Sequence, residues 1–223
     1  MGELAVCADK VEVVLHGVDL QLLQRTPDQW AAKSQMDLVR PTQLSVGHPI
    51  PRKGHEVAIG ALRLLPQAHL PIVGKGPLET DLIKQAEDVR EAKRVRFMGQ
   101  VSQPELAALK AAVDGRVLRS NREGIANVLL EAMSYGTAAV TTPVWGTPEL
   151  LDAAPGCVLA ADGRPEAVAA GIRRLLSATV GGTALRCYAE RYTWPATARR
   201  HHATLRAAIV LYRASLPASG ARA

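Results

Sequence analysis

From residue 43 onward the chain alternates short β-branched runs with longer helical ones, and this alternation leaves few architectures open. Strands are expected at residues 43–46, 70–73, 95–98, 116–118, 138–141 and 157–159. Helices are expected to begin near Gly54, Pro77, Pro104, Gly124, Thr147 and Pro165. Ser102-Gln103-Pro104-Glu105 combines a capping box with a proline at the first helical position. Asp162 ahead of Pro165-Glu166, and Thr147-Pro148-Glu149, repeat the theme. Strands alternating with helices imply an α/β fold with a parallel sheet covered on both faces. Ligands of such sheets bind outside the carboxyl ends of the strands. The glycine loops at Gly47, Gly74-Lys75-Gly76 and Gly99 fall there.

Two stretches stand apart from the alternation. In residues 1–42, positions 11–15 read as a strand before a turn at His16-Gly17, and positions 25–41 as a linker with one short helix. Residues 183–223 read as helices, at 183–190 and 196–216, followed by a tail. In the last helix Leu205, Ile209, Tyr212 and Leu216 form one stripe, with Arg199, His202, Arg206 and Arg213 beside it. The basic flank is either solvated or meets anionic lipid or a negatively charged acceptor. Seven arginines and one acid lie from Arg186 onward, so this tail carries the whole net charge of +6. The body is therefore balanced, which argues against a general nucleic-acid binder.

Hydrophobic residues make up 48% of the chain, enough for a core, but aromatics only 4%, so that core must be aliphatic. No apolar run reaches bilayer length, and charges interrupt the N-terminus where a signal peptide would be apolar. A cytoplasmic location is the expectation, with attachment at the inner face of a membrane if the basic helix meets lipid. Cys7, Cys157 and Cys187 are odd in number and far apart, as suits inert thiols rather than a disulfide or zinc framework. No metal site is expected.

The chemistry concentrates in residues 120–136, SNREGIANVLLEAMSYG. Glu123 and Glu131 stand eight residues apart, a little over two helical turns, on roughly one side of the helix start. Free N–H groups at that start suit phosphate or sugar oxygens. Two acceptor-only carboxylates beside an anion-binding helix end fit a ligand rich in both hydroxyls and phosphates, such as a nucleotide sugar.

Five segments in order carry a resemblance: Val46-Gly47-His48 through Lys53-Gly54-His55, Ile72-Val73-Gly74-Lys75-Gly76-Pro77, Val95 through Val101, Ser120 through Gly136, and Gly146-Thr147-Pro148-Glu149. They resemble the C-terminal, donor-binding domain of GT-B-fold glycosyltransferases of family 4, over about residues 44–176. Gly17-Val18-Asp19 resembles the turn that closes the N-terminal domain in these enzymes. The resemblance divides the chain into a remnant of the N-terminal domain and linker (1–42), a Rossmann-like donor-binding domain (43–182), and C-terminal helices (183–223).

It also implies roles. The chain is expected to be a retaining glycosyltransferase with a nucleotide-sugar donor, no cofactor, no metal, and a glycan or lipid-linked acceptor. Lys53 would offset the diphosphate charge, and Glu123 would hold a hydroxyl of the transferred sugar; these two are the catalytic candidates. Glu131 would accept hydrogen bonds from the ribose. Gly47, His48, Gly74, Gly76, Gly124, Ile125, Ala126, Asn127 and Val128 would line the sugar and diphosphate, and Gly99, Gln100 and Val101 would frame the base. His55, Tyr135 and Trp145 are expected to pack rather than bind.

Three features depart from the family. Only the end of the N-terminal domain is expected within the chain, so transfer by this chain alone is not expected. His48 stands where arginine is common. Pro71 and Arg116 fall inside strands that should be apolar and fully paired. The competing reading is a non-catalytic nucleotide-sugar-binding remnant or subunit that needs a separate N-terminal domain. A dinucleotide-dependent oxidoreductase is disfavoured, because Gly74-Lys75-Gly76 stops short of Gly-x-Gly-x-x-Gly. The bare C-terminal stripe is expected to drive self-association or membrane contact.

Overall fold

The computed structural model describes residues 12, 14, 16–20, 32–34, 36, 38, 41–119, 127–144 and 146–215. Six strands form one parallel sheet: β1 (Gln43–Val46), β2 (Leu70–Val73), β3 (Val95–Gly99), β4 (Gly115–Leu118), β5 (Ala139–Thr141) and β6 (Val158–Leu159). Their order across the sheet is β3-β2-β1-β4-β5-β6, with every neighbouring pair parallel. This is the doubly wound, Rossmann-like order, whose direction of winding reverses between β1 and β4. The helices are α1 (His55–Leu62), α2 (Glu79–Asp88), α3 (Gln103–Ala112), α4 (Asn127–Ser134), α5 (Thr147–Leu151), α6 (Pro165–Ser177), α7 (Gly182–Ala189) and α8 (Trp194–Ser215).

Alternation along the strands divides the core between two faces. Ile72, Val95, Val117, Val140 and Val158 point to one face and pack with Ile59 and Leu62 of α1, Leu82 of α2, and Val168 and Ile172 of α6. Their neighbours point to the other face. There Leu118 and Ala139 meet Leu129, Leu130 and Met133 of α4 and Leu185 of α7, while Leu44 and Val73 meet Leu109 of α3. Aliphatic packing on both faces of the sheet follows from a composition poor in aromatics.

The strand positions expected from the sequence hold to within a residue or so. The caps hold only in part. Ser102 accepts from the Glu105 N–H while the Glu105 carboxylate accepts from the Ser102 N–H at 2.8 Å, completing the capping box of α3. Asp162 does not cap α6: its carboxylate accepts from the Arg164 N–H at 2.8 Å, one residue short of the helix, and Arg164 takes the N-cap place. At α5 the N-cap is Gly146, and Thr147 is buried inside the helix.

Pro71 is accommodated by a break in pairing. The β1–β2 ladder runs through Ser45–Ile72 and Val46–Val73, and below it only an isolated Thr42–His69 bridge remains. The interruption falls where Pro71 has no N–H to give. Arg116 lies between Leu44 of β1 and Ala139 of β5 and is 1% exposed, so this strand carries its charge into the interior.

Before the sheet, Val18 forms a parallel bridge to Thr193 and donates its N–H to the Tyr192 carbonyl at 2.8 Å. A little earlier in the chain, Glu12 accepts hydrogen bonds from Arg200 and Thr204 of α8. Beyond that contact α8 is largely bare: Leu205, Ile209 and Tyr212 are 63%, 51% and 65% exposed. Leu216 lies outside the described residues. No helix among the described residues is long and apolar enough to cross a membrane.

Candidate functional site

Because the strands are parallel, their carboxyl ends share one edge. Three loops leaving β1, β2 and β3 are layered there by backbone contacts. Gly47 N–H donates to the Val73 carbonyl at 2.9 Å, and Gly74 N–H to the Gly99 carbonyl at 2.8 Å. Gly74 has φ +140° and lies so close to the first loop that a Cβ on it would stand 2.0 Å from the Gly47 carbonyl oxygen. Gly76 presses on Pro49 in the same way, and Leu78 N–H donates to the Pro49 carbonyl at 3.1 Å. These two glycines are therefore needed for loop-on-loop packing, not only for a turn. Gly99 differs: its φ is +63°, but no atom stands within 4 Å of a Cβ placed there.

His48 is drawn into this layering. Its Nδ1 lies 2.6 Å from the Lys75 carbonyl, which only accepts, so the ring nitrogen donates and ties the first loop to the second. The histidine that stands where the family commonly has arginine thus links two of the loops.

Lys53 closes a single 3-10 turn, Pro51–Lys53, made possible by proline at its start and by Gly54 at φ 63° after it. Its methylene stem crosses Gly47, with Cδ 3.2 Å from where a Cβ would sit. Gly54 in turn abuts the end of β4; a Cβ there would be 2.4 Å from the Arg119 carbonyl oxygen. The turn carrying Lys53 is thus wedged between the ends of β1 and β4, where the winding of the sheet reverses.

His55 packs, as expected, but it also organises the site. It is 1% exposed; its Nε2 lies 3.2 Å from the Gly47 carbonyl and its Nδ1 2.9 Å from Ser45 Oγ. A carbonyl requires Nε2 to carry the proton, and neutral imidazole then accepts from Ser45 through Nδ1. Burial depresses its pKa, an effect partly opposed by the hydrogen bonds to the Gly47 and His48 backbone. A neutral histidine therefore fixes the carbonyl against which Gly74 packs.

The remaining candidates divide. Gln100 is exposed after β3, whereas Val101 packs on the Leu44–Leu109 core. Val128, in the first turn of α4, packs partly against the Leu129–Met133 core, beside Asn127. Glu123, Gly124, Ile125 and Ala126 lie outside the described residues, as does Trp145. Glu131 is on α4, and its Oε2 accepts from Lys110 Nζ of α3 at 2.6 Å. Nothing in the motifs singled out Lys110. The available signal was a lone cation within the apolar run Leu109-Lys110-Ala111-Ala112-Val113. Lys110 is 5% exposed; burial pushes its pKa down, and Glu131 opposes that shift.

The chain is similar to known proteins. D-inositol 3-phosphate glycosyltransferase of Segniliparus rotundus is 30% identical over 214 residues, which is 90% of this chain and 47% of that protein. The lipopolysaccharide core biosynthesis glycosyltransferase LpsE of Rhizobium meliloti is 37% identical over 109 residues, covering 47% of this chain and 32% of LpsE. The chain thus spans half or less of the length of these relatives. Among solved structures, HepE of Anabaena in complex with UDP and glucose has a GT-B fold and superposes with a TM-score of 0.76. The match is at 22% identity, over 91% of this chain and 59% of HepE. Residues 28–192 match the model of one family, and the chain belongs to the glycosyl transferases group 1.

Proposed function

We propose that the chain is the donor-binding part of a retaining, nucleotide-sugar-dependent glycosyltransferase, with residues 43–182 holding the donor and a glycan or lipid-linked molecule as the acceptor. The observation that carries this reading is Lys53, held across Gly47 at the point where the sheet reverses. An ammonium there would meet a diphosphate leaving group and offset the charge that develops as the glycosidic bond breaks. Lys53 and the N–H groups at helix starts then do the electrostatic work that a metal performs in other transferases. Glu131 would accept from the ribose and Glu123 from the transferred sugar.

Calorimetric titration with UDP, GDP and ADP, then with their sugar conjugates, tests the reading. UDP is the first probe because HepE was solved with it. Lys53→Met is expected to weaken the preferred nucleoside diphosphate by about 1.5–3 kcal/mol, the range of a charge-assisted hydrogen bond. Binding to Lys53→Met that equals wild type for every nucleotide would sink the assignment.

For the partner surface, the proposal is that α8 mediates self-association or contact with anionic membrane at the cytoplasmic face. Leu205, Ile209 and Tyr212 are exposed along it, with Arg199, Arg206 and Arg213 on the same helix. Sedimentation and flotation with anionic vesicles should show one of these behaviours. The lipid contact should fade at high salt, and either behaviour should be lost on Leu205→Ser/Ile209→Ser. A monomer that ignores vesicles at low salt overturns the proposal.

A further inference from the structure

We infer that Lys110 is a positioning residue for the nucleotide site, holding the Glu131 carboxylate in the orientation that accepts the ribose hydroxyls. This inference rests on the donor-binding reading of Glu131 given above. The two residues are 21 apart in sequence and on different helices, yet Nζ and Oε2 are separated by 2.6 Å. A buried ammonium requires a counter-charge, and Glu131 supplies it to Lys110. Burial is unequal across the pair: the Lys110 side chain is 6% exposed and that of Glu131 is 32% exposed. The lysine end is therefore anchored in the interior while the carboxylate keeps a face toward solvent.

The frame around the pair is also tied down. Thr137 Oγ1 donates to the Lys110 carbonyl at 2.6 Å, linking the end of α3 to the segment after α4. Ser134 Oγ donates to the Glu131 carbonyl at 2.6 Å, and Arg186 of α7 donates to the Ser134 carbonyl at 2.8 Å. Tyr135 lies with its ring centroid 5.9 Å from Lys110 Nζ, and Arg116 of β4 presses its charge on the same ammonium. The backbone carbonyls of both Lys110 and Glu131 are thus tied down, and the 2.6 Å bond joins their side chains across the two helices. A carboxylate has about four lone-pair sites. With Oε2 engaged by Lys110, Oε1 retains capacity for a hydroxyl, and Glu131 arrives already ordered rather than losing rotamer freedom on binding.

The readout that separates positioning from simple core stability is the preference for ribose over deoxyribose. UDP and GDP are titrated against 2′-deoxy-UDP and 2′-deoxy-GDP. Wild type is expected to favour the ribonucleotide at least about tenfold, and Glu131→Gln to lose most of that preference. Lys110→Met should reduce the preference at least about threefold, with Lys110→Arg restoring part of it. Should Lys110→Met not fold, Lys110→Leu, a neutral side chain with no N–H donor, is read in its place. If Glu131→Gln discriminates like wild type, the ribose role of Glu131 fails and the inference falls with it. If Glu131→Gln loses discrimination while the neutral Lys110 variant keeps it in full, the ribose role stands and Lys110 has no positioning role.

Discussion

Gly74→Ala is expected to destabilise the fold by about 3–5 kcal/mol, combining backbone strain at positive φ with overpacking against backbone that has no room to retreat. The added Cβ would lie 2.0 Å from the Gly47 carbonyl oxygen and 2.8 Å from its carbonyl carbon. That carbonyl cannot simply move, because it accepts from His55 Nε2, and Gly47 N–H is committed to Val73. Any retreat of the first loop would also displace the Lys53 stem packed across Gly47. The change should therefore lower nucleotide affinity along with stability. Gly99→Ala is the control. It shares positive φ, at +63°, but its Cβ meets nothing within 4 Å. It should cost only the left-handed backbone term of about 1–2 kcal/mol. Urea unfolding of the two variants checks this, and equal destabilisation would show that the loops are not in the contact described.

The contrast between these glycines shows how far the sequence could be read. All three glycine loops were placed at the strand ends because β-branched runs stop there, and local pattern suffices for that. Whether a glycine serves a turn or a close approach depends on a neighbouring loop some 27 residues away, as with Gly47 and Gly74, and no local pattern records it. The same limit applies to charge. Arg116 was conspicuous within an apolar strand and is indeed buried. Lys110 sits at the buried end of a helix whose first residues, Gln103 to Glu105, are exposed, and its partner becomes visible only when α3 and α4 are brought together. Asp162 failed as a cap because its carboxylate meets the Arg164 N–H one residue too early. A helix-start signature of that kind locates the helix but leaves the bonding open.

Glu131→Ala is expected to unfold at markedly lower denaturant than wild type, because it strands the Lys110 ammonium in the interior. Removing one partner of a buried pair costs about 3–5 kcal/mol. Here the lower end applies, since the Glu131 side chain is one-third exposed and water can reach that side of the pair (32% against 6% for Lys110). The loss should be largely conditional on Lys110. Lys110→Met alone leaves a carboxylate that solvent can partly hydrate, so it should cost less than Glu131→Ala. In the double variant Glu131→Ala/Lys110→Met neither charge of the pair remains, and stability should recover toward that of Lys110→Met. A double-mutant cycle by urea unfolding should then return a coupling of about 1–3 kcal/mol, as contacting residues do. Additive effects would mean that the 2.6 Å contact contributes nothing to the fold. The cycle also governs how binding data are read. Nucleotide affinity lost in Glu131→Ala mixes a missing acceptor with a disturbed α3–α4 contact, whereas Glu131→Gln keeps an amide oxygen that can still accept from Lys110. A deficit in ribose preference that survives in Glu131→Gln therefore belongs to the carboxylate itself.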